Sequence, residues 1–293
     1  MYHNVALAGS RGLSAVLDLE RGLDLADLRE HAGKYAIASA YDGSLLRLKH
    51  RIGAALELEK ADHRSALLTW LRQWGCRHLN RASEATSAAA LHAWADAWVP
   101  LLPAPGHSLA DLSADDTVTL AVAYGQLAGT VAGERRLAKG PARVTFGPTA
   151  AAKTMYALRP GSCAPWDDPI RHALGMAGND AAYRWYLQLI AQALTKTAGR
   201  AGVAAVDLPS LAGRPGSSPP KLIDEYLWMR ITRGAARDLP LPGTGPMCGG
   251  SCAGTRPRRS QHRTYRSLKV RCAYPNRLIL SSTVSEGMLG SAA

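Results

Sequence analysis

Residues 146–175 read FGPTAAAKTMYALRPGSCAPWDDPIRHALG. An apolar helix carrying one lysine, Lys153, runs into a Gly/Pro turn, and two adjacent aspartates, Asp167 and Asp168, open a second helix. Helical spacing puts Ala151, Met155 and Leu158 on one stripe and Lys153 roughly opposite, where a lysine meets water. Thr149 is the expected cap of a helix over Ala150–Leu158, and Arg159-Pro160-Gly161 ends it. Asp168 followed by Pro169 reads as an N-cap and N1 pair. Two helices joined by a tight connection lie antiparallel, so a lysine in the first and a carboxylate at the mouth of the second can face one cleft. There a partly desolvated amine is a competent nucleophile and the carboxylate can take its proton. That is the equipment for attacking the sugar carbon of a nucleotide through a Schiff base.

Outward from this stretch the chain reads as helix after helix. Leu25, Leu28 and Ala32 recur at helical spacing between Leu23 and Ser39. Asp42 is the expected cap of the next helix, whose apolar face holds Leu45, Leu46, Leu48, Ile52 and Leu56. ADHRSALLTWLRQWGCRHL aligns Leu67, Leu71 and Trp74, and SEATSAAALHAWADAWVPLLP sets Trp94 and Trp98 one turn apart. Further helices are expected over Asp115–Ala132, over Asn179–Thr197, and over PPKLIDEYLWMRITRG, which starts at prolines and stops at Gly234. Period-two alternation is confined to ARVTF at 142–146 and LKVRCAY at 268–274. The expected fold is mostly α: a multi-helix globular domain over residues 1–235, with neither a parallel sheet nor a solenoid repeat.

Composition sets the remaining bounds. With nearly half its 293 residues apolar and a fifth charged, the chain fits a soluble globular protein. The start, MYHNVALAGSRG, has no basic leader before an apolar run, and the apolar stretch 119–133 is too short and glycine-rich to span a bilayer. Five cysteines without regular spacing argue against a disulfide framework, so a cytoplasmic setting without membrane contact is expected. Of the net charge of +12, +8 falls from Ile231 onward, where ten Lys and Arg face Asp238 and Glu286 alone. Residues 236–293 form a basic Gly/Pro/Arg/Ser-rich tail, expected to be mostly disordered in isolation and to bind polyanions through counterion release.

Other constellations carry less. Cys248, Cys252, His262 and Cys272 match no compact zinc-finger spacing, so no metal site is assigned and no cofactor is implied. The glycines at 243 and 245 follow no strand and open no helix, which excludes a phosphate-cradling loop. Arg72 and His78 lie six apart, as in some helical ribonucleases, but composition alone produces such pairs. The paired tryptophans at helical spacing read as core rather than as stacking platforms.

The segment GPTAAAKTMYALRP…APWDDPIRHALG resembles the catalytic segment of the helix-hairpin-helix DNA glycosylase superfamily. The resemblance implies a mostly α-helical enzyme, a DNA N-glycosylase of hydrolase or lyase type, with Lys153 as nucleophile. Asp167 would be its acid/base partner, with Asp168 the alternative. It places Gly147 as the hairpin glycine that meets a phosphate, and Trp166 and Arg171 beside an extruded nucleotide. The partner implied is nucleic acid, DNA before RNA. The pattern's second glycine is replaced by Ala151, Lys153 and Asp167 are 14 apart, and no cysteine cluster for an iron–sulfur site is present. A non-enzymatic helical module that binds nucleic acid or protein is the alternative.

Overall fold

The computed structural model describes residues 10–53, 55–138 and 140–233, which belong to one compact unit and are mostly helical. The helices are α1 (Ser10–Arg21), α2 (Leu25–Ala38), α3 (Ser44–Ile52), α4 (Ala61–Gln73), α5 (Glu84–Trp98) and α6 (Ala114–Gly129). After a two-stranded antiparallel hairpin, β1 (Val131–Leu137) and β2 (Gly140–Thr145), come α7 (Gly147–Leu158) and α8 (Asp168–Ala173). The remainder is α9 (Asp180–Ala201), α10 (Leu208–Leu211) and α11 (Pro219–Leu227), the last continuing into a π-helical turn over Trp228–Arg233. The expected tail, with its cysteines, its glycine pair and the strand at 268–274, lies outside the described residues.

Several helix boundaries follow from local chemistry. The α6 start is a capping box, in which the Ser113 side chain and Asp116 satisfy each other's backbone amides. Asn179 caps α9 by accepting from the Ala182 amide at 2.9 Å. Asp42, by contrast, caps nothing. Gly43 stands at the head of α3, and the Asp42 carboxylate turns away to pair with Arg214.

Helix α7 is the centre of the fold. Every residue from Ala150 to Leu158 is buried, including Lys153. The three alanines 150–152 have almost no side chain, so α4 and α6 pack directly against the helix. This overturns the amphipathic reading of 150–158: the face opposite Met155 and Leu158 meets α4, not water. A helix buried all round carries no stripe that could reveal its orientation.

The paired tryptophans belong to the core as their spacing suggests, except Trp98, which is half-buried against it. Trp70, Trp74 and Trp94 are buried, with the Trp70 indole donating to the Ser44 carbonyl and that of Trp94 to the Ala123 carbonyl. No helix among the described residues is long and apolar enough to cross a membrane.

Candidate functional site

The lysine and the first aspartate of the opening stretch meet. Lys153 Nζ lies 2.8 Å from Asp167 Oδ1 and donates to the Trp74 carbonyl at 2.7 Å. The same ammonium sits 4.5 Å from the centre of the Trp74 ring. Only 4% of the lysine side chain is exposed, against 26% for the aspartate. The pair is therefore anchored in the core and opens towards solvent on its carboxylate side.

Asp167 is free for this role because it does not cap its own helix. It holds the extended N-cap conformation of α8, yet its side chain makes no capping bond. Proline in the first turn of α8 removes one of the amides a cap would serve. Asp168, expected as the cap, stands one residue further on as the first helical residue, and its carboxylate pairs with Arg171 and His172. Thr149 likewise is no cap, since α7 begins at Gly147.

The loop delivering Asp167 is pinned along its length. The Arg159 guanidinium donates to the Pro103 carbonyl, Ser162 to His107, Tyr183 to Ala164 and Tyr186 to Pro165. Trp166 is the last anchor. It is fully buried, stacked on Tyr186 with centroids 5.1 Å apart and flanked by Tyr183 and Tyr124. It is therefore unavailable to an extruded base, contrary to the expectation from its place at the loop–helix junction. Its aromatic bulk instead fixes the backbone immediately before Asp167.

A cavity of about 410 Å³ opens over the pair. Its aromatic walls are Trp74 and Tyr41, and its polar rim includes His78, Asp168 and Arg171. Gly147 contributes the head of α7 with φ +70°, a backbone conformation that side-chain-bearing residues rarely hold. Arg171 is a buried part of the cavity lining, paired with Asp168 through one nitrogen, with its guanidinium 5.7 Å from the Trp166 ring and the other terminal nitrogen unpartnered. Burial disfavours its charge and holds its pKa below the usual arginine value. Cys76 also lines the cavity, but burial pushes its thiol up to about 11, so it is no thiolate at neutral pH. Of the two, only Lys153 has a carboxylate already in contact, at 2.8 Å.

Arg72 and His78 do not form a joint site. Arg72 is tied to Glu84 at 2.9 Å, and His78 Nε2 donates to the Phe146 carbonyl at 2.8 Å.

Behind Trp74 lies a second lysine–carboxylate pair that sequence reading missed. Lys221 contacts Asp224 at 2.6 Å and the Tyr35 hydroxyl at 3.1 Å, and its ammonium is 5.9 Å from the Trp74 ring centre. Glu225 and Asp42 hold Arg214 between them. All of these groups but Asp224 line a smaller cavity of about 240 Å³ that shares Tyr41 and Trp74 with the first. A signal existed in PPKLIDEYL, where charges alternate with apolar residues too densely for one exposed face.

Among the described residues no cluster of His, Cys, Asp or Glu could hold a metal ion. No known protein family, curated protein or solved structure matches the chain.

Proposed function

We propose that this chain is a DNA-glycosylase-like enzyme acting on an extruded nucleotide with Lys153 as nucleophile. The observation that carries the reading is the 2.8 Å contact between Lys153 and Asp167 in the wall of an open cavity. In the first step Asp167 takes a proton from the Lys153 ammonium. The freed amine bonds to the anomeric carbon, the glycosidic bond breaks, and its electron pair leaves with the base, which Asp167 can protonate. Opening of the sugar ring then gives a protonated imine, and water releases the lysine from it. Tyr41, half-buried in the cavity wall, offers the apolar surface that a base needs once it leaves the duplex stack.

The pinned loop supports this reading, because catalysis by proximity requires the acid to be held before substrate arrives. Borohydride reduction tests it. Duplexes carrying an abasic site or an oxidised purine are incubated with the protein and hydride, and a covalent protein–DNA adduct is expected. Lys153→Met should abolish the adduct, and Asp167→Asn should slow its formation. An adduct that survives Lys153→Met at full yield removes Lys153 from the mechanism.

One observation favours the second reading, a helical nucleic-acid- or protein-binding module without chemistry. Lys153 is already held by Asp167, by the Trp74 carbonyl and by the Trp74 ring, as a purely structural pair would be. Absence of any adduct across the substrate panel selects that reading.

A further inference from the structure

The hairpin between α6 and α7 projects arginines that nothing in the fold uses. Arg135, Arg136 and Arg143 are all exposed, and among the described residues none of their side chains has an ion-pair or hydrogen-bond partner. Register explains their arrangement. Glu134 pairs with Arg143 and Arg135 with Ala142, so Arg143 and Arg136 share one face of the ribbon while Arg135 occupies the other. Residues 131–145 carry Arg135, Arg136, Lys139 and Arg143 against Glu134 alone, a net charge of +3.

The ribbon is held at its base rather than left to swing. Ser87 donates to the Ala132 carbonyl, and Gly133 lies so close to Ser83 that an added Cβ would come within 2.2 Å of that serine's own Cβ. A groove of about 970 Å³ runs between the ribbon and residues 80–86, lined by all three arginines together with Asn80, Ser83 and Thr86. The α4–α5 loop adds Arg77 and Arg81, both exposed.

We propose that this ribbon is a phosphate clamp that seats duplex DNA beside the Lys153 cavity. Charge complementarity names the occupant class. Cations on both faces suit a ribbon set between two phosphate backbones, and the B-DNA major groove, about 12 Å wide, admits a two-stranded ribbon. The major groove of duplex RNA is too narrow for it. The ribbon contains no Asn or Gln to read adenine edges, and arginines set on phosphates fix register without carrying sequence information. Connectivity ties the clamp to the site. β2 passes through Phe146 straight into Gly147 at the head of α7, and His78, two residues before Asn80 of the groove, binds the Phe146 carbonyl. The inference rests on the DNA-directed reading of the cavity but not on the lysine chemistry.

The test measures duplex binding by the full chain over a range of salt concentrations, with and without Arg135→Gln, Arg136→Gln and Arg143→Gln together. Each phosphate contact contributes about 0.9 to the slope of log K against log salt, so the triple variant should lose about 2–3 from that slope. Its melting temperature should stay unchanged, and replacing the same three by lysine should retain the slope. A slope unchanged in the glutamine variant overturns the clamp. So does an equal drop on duplex RNA, whose major groove is too narrow for the ribbon, or on single-stranded DNA, which has no groove to seat it. Loss of slope with no borohydride adduct on any substrate would keep the clamp and remove the lysine chemistry; an adduct with an unchanged slope would do the reverse.

Discussion

Asp167→Asn should destabilise the protein more than Lys153→Met, although the lysine is the more buried partner. In Asp167→Asn the ammonium keeps the Trp74 carbonyl and the ring but loses its counter-charge while remaining only 4% exposed. Breaking a buried pair from one side costs about 3–5 kcal/mol. Because the aspartate side chain is about a quarter exposed and the cavity admits water, screening lowers this to about 2–3 kcal/mol. In Lys153→Met the stranded carboxylate can hydrate through the cavity and the thioether fills the lysine stem. The main loss is then one donor to the Trp74 carbonyl, about 1–2 kcal/mol. The double variant leaves no orphaned charge and should match Lys153→Met, which makes the coupling in the double-mutant cycle about 2–3 kcal/mol. Urea unfolding followed by helical circular dichroism measures all four corners. Melting temperatures should fall by roughly 4–12 °C for Asp167→Asn. Additivity within about 0.5 kcal/mol would show that water screens the pair in solution and that Asp167 is not poised to take the lysine's proton.

Gly147→Ala should cost about 1–2 kcal/mol through its positive φ alone, since an added Cβ there meets no atom within 4 Å; a loss above about 3 kcal/mol in urea unfolding would mean the head of α7 had been displaced. Burial holds the Asp224 carboxyl up to about 6, above its ordinary 3.8. The stability it contributes is therefore fully present below 3.8 and lost as pH rises through about 6, and Asp224→Asn should flatten the melting temperature between pH 4 and 6 relative to wild type. Truncation after Arg237 removes eight Lys and Arg against two acids, so the shortened chain should bind DNA with a shallower salt slope; equal slopes would place the contacts on the helical body.

Much of the helical order is readable because buried stripes leave a period and caps leave a chemistry. The α2, α5, α6 and α9 segments fall within a few residues of their expected places, and β2 overlaps the alternating ARVTF. Failures occur where tertiary packing overrides the local signal. α1 is not among the expected helices; an added Cβ at its Gly12 would come within 1.8 Å of the Ala173 carbonyl, so the glycine admits the end of α8. β1 is hidden because the helical pattern expected over Asp115–Ala132 runs through Val131-Ala132, whereas the extended backbone at Thr130 ends α6.

The site divides along the same line. Lys153 and Asp167 were legible as a pair because they share one short stretch, and a tight connection between helices constrains where both can point. Trp74 was not, since its contribution is a backbone carbonyl and a ring face arriving from α4, 79 residues away. Spacing identified that tryptophan as core, which it is, yet core position here also means touching the ammonium. Trp166 shows the converse. Its junction position suggested exposure, while the tyrosines of α6 and α9 that enclose it are remote in sequence. A residue's neighbours along the chain thus indicate which chemistry it brings, and the helices packed across it decide whether that chemistry faces a substrate or the core.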